Sequence, residues 1–155
     1  MITFSVKYTG EVSKAKWKKA LKEAYLAPIV QWTDEFKPRH FTDAGAKMYN
    51  YDKRTPAYEA RKRNRPPGFG LPLVWSGASR TLASIRDIRS QTKGAKSIIH
   101  AVGLNRKPKG KVTSMREEMT RVTTNEQRSM VAVASKTLAR ELVQAQKTGT
   151  RKKKL

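Results

Sequence analysis

The chain has 155 residues, with 34 lysines and arginines against 12 aspartates and glutamates, a formal charge of +22 and no cysteine. Without thiols it holds no disulfide scaffold, no thiol nucleophile and no cysteine-ligated metal centre. The length suits one domain with one core, while so large a positive surplus repels itself and asks for an anionic companion: nucleic acid, an acidic protein surface or anionic lipid.

No apolar run approaches the ~20 residues that span a bilayer. The opening MITFSVKYTG lacks a basic segment leading into an apolar one. The expectation is a soluble, unprocessed protein with no membrane association.

In MITFSVKYTG, Ile2, Phe4 and Val6 alternate with Thr3, Ser5 and Lys7 before Thr9-Gly10, which predicts a strand. From Ser13 the period changes. Trp17, Ala20, Leu21, Ala24, Tyr25, Pro28, Ile29, Trp32 and Phe36 recur at spacings of three and four, with Lys14, Lys16, Lys18, Lys19 and Lys22 on the remaining turns. This predicts an amphipathic helix with a basic outer face, kinked or restarted at Pro28, whose nitrogen cannot donate.

Residues 37–72 lose periodicity and collect prolines and glycines, which predicts a long excursion, with residues 45–72 as an extended basic loop. Within it, Thr55 and Pro56 can cap and open a short helix through AYEARKRNR. Leu73 to Trp75 is apolar, and Ser76 can cap a helical turn through Leu82 and Ile85. Residues 97–102 and 115–122 read as two strands of a hairpin whose basic tip is NRKPKGK. Thr123 and Glu126 match a capping box, and Met130, Val131, Ala134, Leu138, Leu142 and Ala145 form the stripe of a second amphipathic helix. The last residues, KTGTRKKKL, offer no core side chain except Leu155.

The expected architecture is α+β: a small single domain over residues 1–146, two main amphipathic helices packed on a few antiparallel strands, a long loop, a hairpin and a basic tail at 147–155.

Catalytic signatures are missing. His40 and His100 have no carboxylate near them in sequence and no HExxH spacing, so each reads as a surface or half-buried histidine rather than a metal ligand. The adjacent pairs Asp34-Glu35 and Glu117-Glu118 diverge in either a helix or a strand and read as solvated charge. Ser76-Gly77-Ala78-Ser79 lacks the GxSxG arrangement, and PPGFGLP lacks the GxxxxGK[ST] pattern. The chain is expected to be no enzyme and to use no cofactor, metal or small-molecule substrate.

Basic clusters are the strongest signal. Lys53, Arg54, Arg61, Lys62, Arg63 and Arg65 crowd one segment, interleaved with Tyr49, Tyr51 and Tyr58. Arg106, Lys107, Lys109 and Lys111 crowd the hairpin tip, and Arg151, Lys152, Lys153 and Lys154 close the chain. Tyrosine with arginine suits stacking on bases and pairing with phosphates, and equally suits a protein interface. Trp17, Trp32 and Trp75 read as core residues, with Trp75 the candidate interface tryptophan.

The segment YDKRTPAYEARKRNRPPGFGLPLVWSGASRTLASI resembles the middle of phage virion-morphogenesis proteins of the neck and tail-completion type, in which a stretch of the form RTxxYxxRK leads into PLVxxG and a helical turn. MTRVTTNEQRSMVAVASKTLARELVQ resembles their closing helix, so the likeness covers residues 49–146. It implies a structural virion protein at the head-tail junction, made in the host cytoplasm. Such a protein forms a homo-oligomeric ring in the neck or completes the tail end, with itself, other neck, portal-adaptor or tail proteins, and packaged DNA as partners. Residues 45–72 and the tail would contact adjacent subunits or rings. The charge of +22 leaves open whether the basic groups face DNA or acidic neighbours. The alternative reading is a nucleic-acid-binding protein without sequence preference.

Overall fold

A computed structural model describes residues 10–65, 70, 72–73, 81–82, 84–91, 93–100 and 113–150, with side chains to residue 146. The fold is α+β, mostly helical with one two-stranded antiparallel sheet. The chain forms two compact units, each discontinuous in sequence: one gathers the chain up to Trp32, Ile88–Ser97 and the chain from Thr124, and the other holds Thr33–Asp87 and Ile98–Thr123. Where one core was expected, each unit has its own cluster of buried side chains.

In the first unit, α1 (Lys14–Gln31) starts where the sequence expectation placed it, with the Ser13 hydroxyl accepting from the Lys16 N–H. Pro28 neither ends nor restarts the helix; it is buried within it, and the winding changes only beyond Gln31, where the chain passes into the second unit through a π-helical turn over Trp32–Phe36 and a 3-10 turn over Lys37–Phe41. The long helix Thr124–Thr150 is antiparallel to α1. Lys16 Nζ donates to the Ala145 carbonyl at 2.6 Å, and Gln31 Nε2 donates to Ser129 Oγ at 2.9 Å. Ala20 and Ala24 of α1 meet Leu138 and Leu142, with Val12, Trp17 and Leu21 packed around them. Small residues on one helix against large ones on the other let the two axes approach. The hairpin, β1 (Asp87–Gln91) and β2 (Gly94–Ile98), falls mostly in this unit, so the first expected strand lies earlier than 97–102.

In the second unit, the aperiodic stretch after Phe41 is not one open loop. Thr42 caps α2 (Asp43–Met48), and Thr55 caps α3 (Pro56–Arg63) with Pro56 at its first position.

The second expected strand, 115–122, is overturned: Met115–Met119 is a helix, α4, opened by a full capping box. The Ser114 hydroxyl accepts from the Glu117 N–H at 3.3 Å, and the Glu117 carboxylate accepts from the Ser114 N–H at 2.5 Å. That reciprocal pair satisfies two donors at once and outweighs the β-prone flanks. Phe41, Leu73 and Met119 form the core of this unit, with Tyr51, Ile99 and Met115 against it.

The Thr124–Thr150 helix, α5, follows Thr123 and buries Met130, Ala134, Leu138 and Leu142 of the expected stripe. It also runs past residue 146 into what was expected to be tail. The expected strand at residues 2–6, the Ser76 cap, the hairpin tip and residues 151–155 lie outside the described residues.

Candidate functional site

The basic segment at residues 49–65 lies in the second unit, and buried polar contacts fix it. The Glu118 side chain on α4 is wholly enclosed. One of its oxygens pairs with the Arg54 guanidinium, and the other accepts from the Asp52 N–H at 3.1 Å. Asp52 in turn accepts from the Thr113 hydroxyl at 2.8 Å, and Arg121 donates to the Tyr49 and Asn50 carbonyls. Asn50 takes a positive φ of 49°, a conformation that asparagine tolerates better than most residues. The turn between α2 and α3 is thereby stapled to α4 and its sequel.

The aromatic residues are spent internally. Tyr49 is 4% exposed and stacks on the fully buried His40, with ring centroids 3.8 Å apart and planes 2° from parallel. His40 Nδ1 lies 2.5 Å from the Tyr51 hydroxyl. Burial, then the nearby Glu118 carboxylate, holds the Tyr51 hydroxyl far above its ordinary range. Tyr58, half-buried, is also pushed up by burial.

These placements correct the expected interface. Tyr49 and Tyr51 are core or near-core groups rather than stacking platforms, and Arg54 serves the enclosed Glu118. Lys62 is 5% exposed, lies over the Tyr58 ring at 5.8 Å, and has its ammonium pKa lowered by burial. Lys53, Arg61 and Arg63 do face solvent, and Arg65 is half-buried. Trp75, Arg106, Lys107, Lys109, Lys111, Arg151, Lys152, Lys153 and Lys154 lie outside the described residues.

The sequence reading also fails at His40, which is not at the surface, and at Glu118, which is not solvated. It gives no sign of Asp52, Thr113 or Arg121. One local signal does exist: Ser114-x-x-Glu117 is a capping box, which puts Glu118 on a helix. His100 Nε2 lies 2.9 Å from Asp87 Oδ2, a half-exposed pair that thirteen residues of sequence separation conceal.

Among the described residues no group of three histidines, aspartates or glutamates could hold a metal ion, and no helix is long and apolar enough to cross a membrane. No family model, curated protein or solved structure matches the chain.

Proposed function

We propose that this chain is a structural subunit of a tailed-phage virion, assembling as a homo-oligomeric ring at the head-tail neck or at the tail end that joins the head. The observation that carries the reading is the anchored basic arm. The enclosed Glu118 takes up Arg54, and the staple it makes leaves Lys53, Arg61 and Arg63 facing water on and beside a short, capped helix. A backbone anchored before contact loses little conformational entropy on docking, so three cations displayed on it suit an acidic face on a neighbouring subunit. The resemblance over residues 49–146 includes this arm.

Native mass spectrometry of the full chain at moderate salt, with and without short duplex DNA, tests the reading. A defined ring without DNA is the expected result. A monomer at high micromolar concentration, with or without neck partners, rejects it, and a monomer that gains mass only with DNA favours the nucleic-acid alternative.

A further inference from the structure

The first unit carries a second basic surface, built only of lysines. Helix α1 has the sequence KAKWKKALKEAYLAPIVQ, in which Glu23 is the sole acid and the first turn has none. Ala20, Ala24 and Pro28 mark its buried face. At about 100° per residue, Lys14, Lys18, Lys19 and Lys22 fall within an arc of about 140° on the side away from those residues. All four are exposed. Lys16, off this arc, reaches the Ala145 carbonyl. Among the described residues none of the four has a side-chain hydrogen bond or ion pair.

This arrangement works against the helix. Lys14 and Lys18, like Lys18 and Lys22, are like charges four residues apart, and Lys14 also sits in the first turn, at the positive end of the helix dipole. A polyanion laid along the row supplies opposite charge that offsets both.

We infer that Lys14, Lys18, Lys19 and Lys22 bind the phosphate backbone of double-stranded nucleic acid. The row is about 12 Å long at 1.5 Å per residue, a length over which flexible lysine side chains can reach a few successive phosphates of one strand. Lysine is depleted in protein interfaces, whose anchors are aromatic residues and arginine, and none stands among these four. A membrane surface fits less well, because the apolar face of α1 is already occupied by Leu138 and Leu142 and has nothing to insert among lipids. The contacts are point charges on phosphates, so binding is independent of base sequence. The inference does not rest on ring formation.

The test measures the affinity of the full chain for a 20-base-pair duplex by fluorescence anisotropy across a salt series. In Lys14→Gln/Lys18→Gln/Lys19→Gln/Lys22→Gln the slope of log affinity against log salt falls by about 2 to 3.6, at about 0.9 for each phosphate no longer neutralised. The four-fold change to arginine keeps the slope. Should circular dichroism show that the glutamine variant loses helix, Lys18→Gln/Lys22→Gln serves instead, with an expected fall of about 1 to 1.8. Absence of duplex binding by the wild type at low salt overturns the inference, as does an unchanged slope in the folded variant. A variant that loses binding to phosphatidylglycerol vesicles or to polyglutamate while keeping the duplex overturns it in favour of a membrane or an acidic protein.

Discussion

Arg54 and Glu118 stand 64 residues apart in sequence and meet as an ion pair whose carboxylate is shut off from solvent. The pair joins the segment before α3 to α4. Among the described residues, Arg54 Nη1 is a further buried donor with no hydrogen-bond partner, so this guanidinium depends on Glu118.

Removing the carboxylate therefore strands a charge. Glu118→Ala leaves Arg54 largely buried without its counter-ion and the Asp52 N–H without its acceptor, at a cost of about 3 to 5 kcal/mol. Glu118→Gln keeps an acceptor for Asp52 and costs less. Guanidinium denaturation of the three proteins measures the order, and a loss below about 1 kcal/mol in Glu118→Ala would show that the pair is not a structural anchor.

The Tyr51 hydroxyl gives the second unit an alkaline limit. Its folded pKa is raised, chiefly by burial, above the ordinary value of 10.0, so above that pH the unfolded chain releases a proton that the folded chain retains. The unfolded state then binds fewer protons, and stability falls as pH rises. Lys37 and Lys62, whose folded pKa values are lowered by burial from 10.5, act oppositely: their penalty is relieved as pH rises toward 10.5. Above that pH only the tyrosine effects continue, those of Tyr51 and of Tyr58, which burial also raises. Tyr51→Phe should lose stability at about pH 8, where its contact with His40 is missing, yet decline less steeply between about pH 10.5 and 11.5. Parallel alkaline limbs for the two proteins would assign the decline elsewhere.

What the sequence makes readable is local. Ser13, Thr55 with Pro56, and the stripe from Met130 to Leu142 each announce themselves within a few residues, because caps and helical periods are short-range physics. The signal for Met115–Met119 is also local, but there a capping box competes with a β-prone pattern, and the two point to different elements. The pairing of Arg54 with Glu118, the His40–Tyr49 stack and the Asp52–Thr113 bond leave no periodic trace, since each depends on two segments brought together only by folding. A cluster of tyrosine and arginine therefore looks like a surface when half of it is interior.

Gly45 is fixed by close approach rather than by backbone angle. A Cβ there would stand 1.9 Å from the Arg39 carbonyl oxygen and 2.7 Å from its carbon, and the obstacle is backbone rather than a movable side chain. The Thr42 hydroxyl donates to that same carbonyl at 2.7 Å and accepts from the Gly45 N–H at 3.0 Å, which fixes the junction from both sides. Although alanine favours helices by about 1 kcal/mol over glycine, the clash should dominate, and Gly45→Ala should lose about 1 to 3 kcal/mol. A thermal midpoint equal to or above that of the wild type would mean that the junction can open without loss.

The basic arm yields a prediction in which charge and burial separate. Lys53, Arg61 and Arg63 face water, so Lys53→Glu/Arg61→Glu/Arg63→Glu should shift stability by less than about 0.5 kcal/mol per site while abolishing assembly, because three cations on a fixed surface become anions. Lys62 sits among them in sequence but is interior, packed over the Tyr58 ring. Lys62→Glu should instead damage the fold, since burial desolvates a carboxylate there and the Glu59 and Asp43 charges that now favour the ammonium repel it, against the attraction of Arg54 alone. Lys62→Met keeps the stem and removes the desolvated charge, and should be neutral or stabilising. Chemical denaturation separates the two effects, and analytical ultracentrifugation reads assembly. An exposed triple variant that still assembles would remove the arm from the interface, whereas a Lys62→Glu protein as stable as the wild type would show that this lysine is not held in the interior.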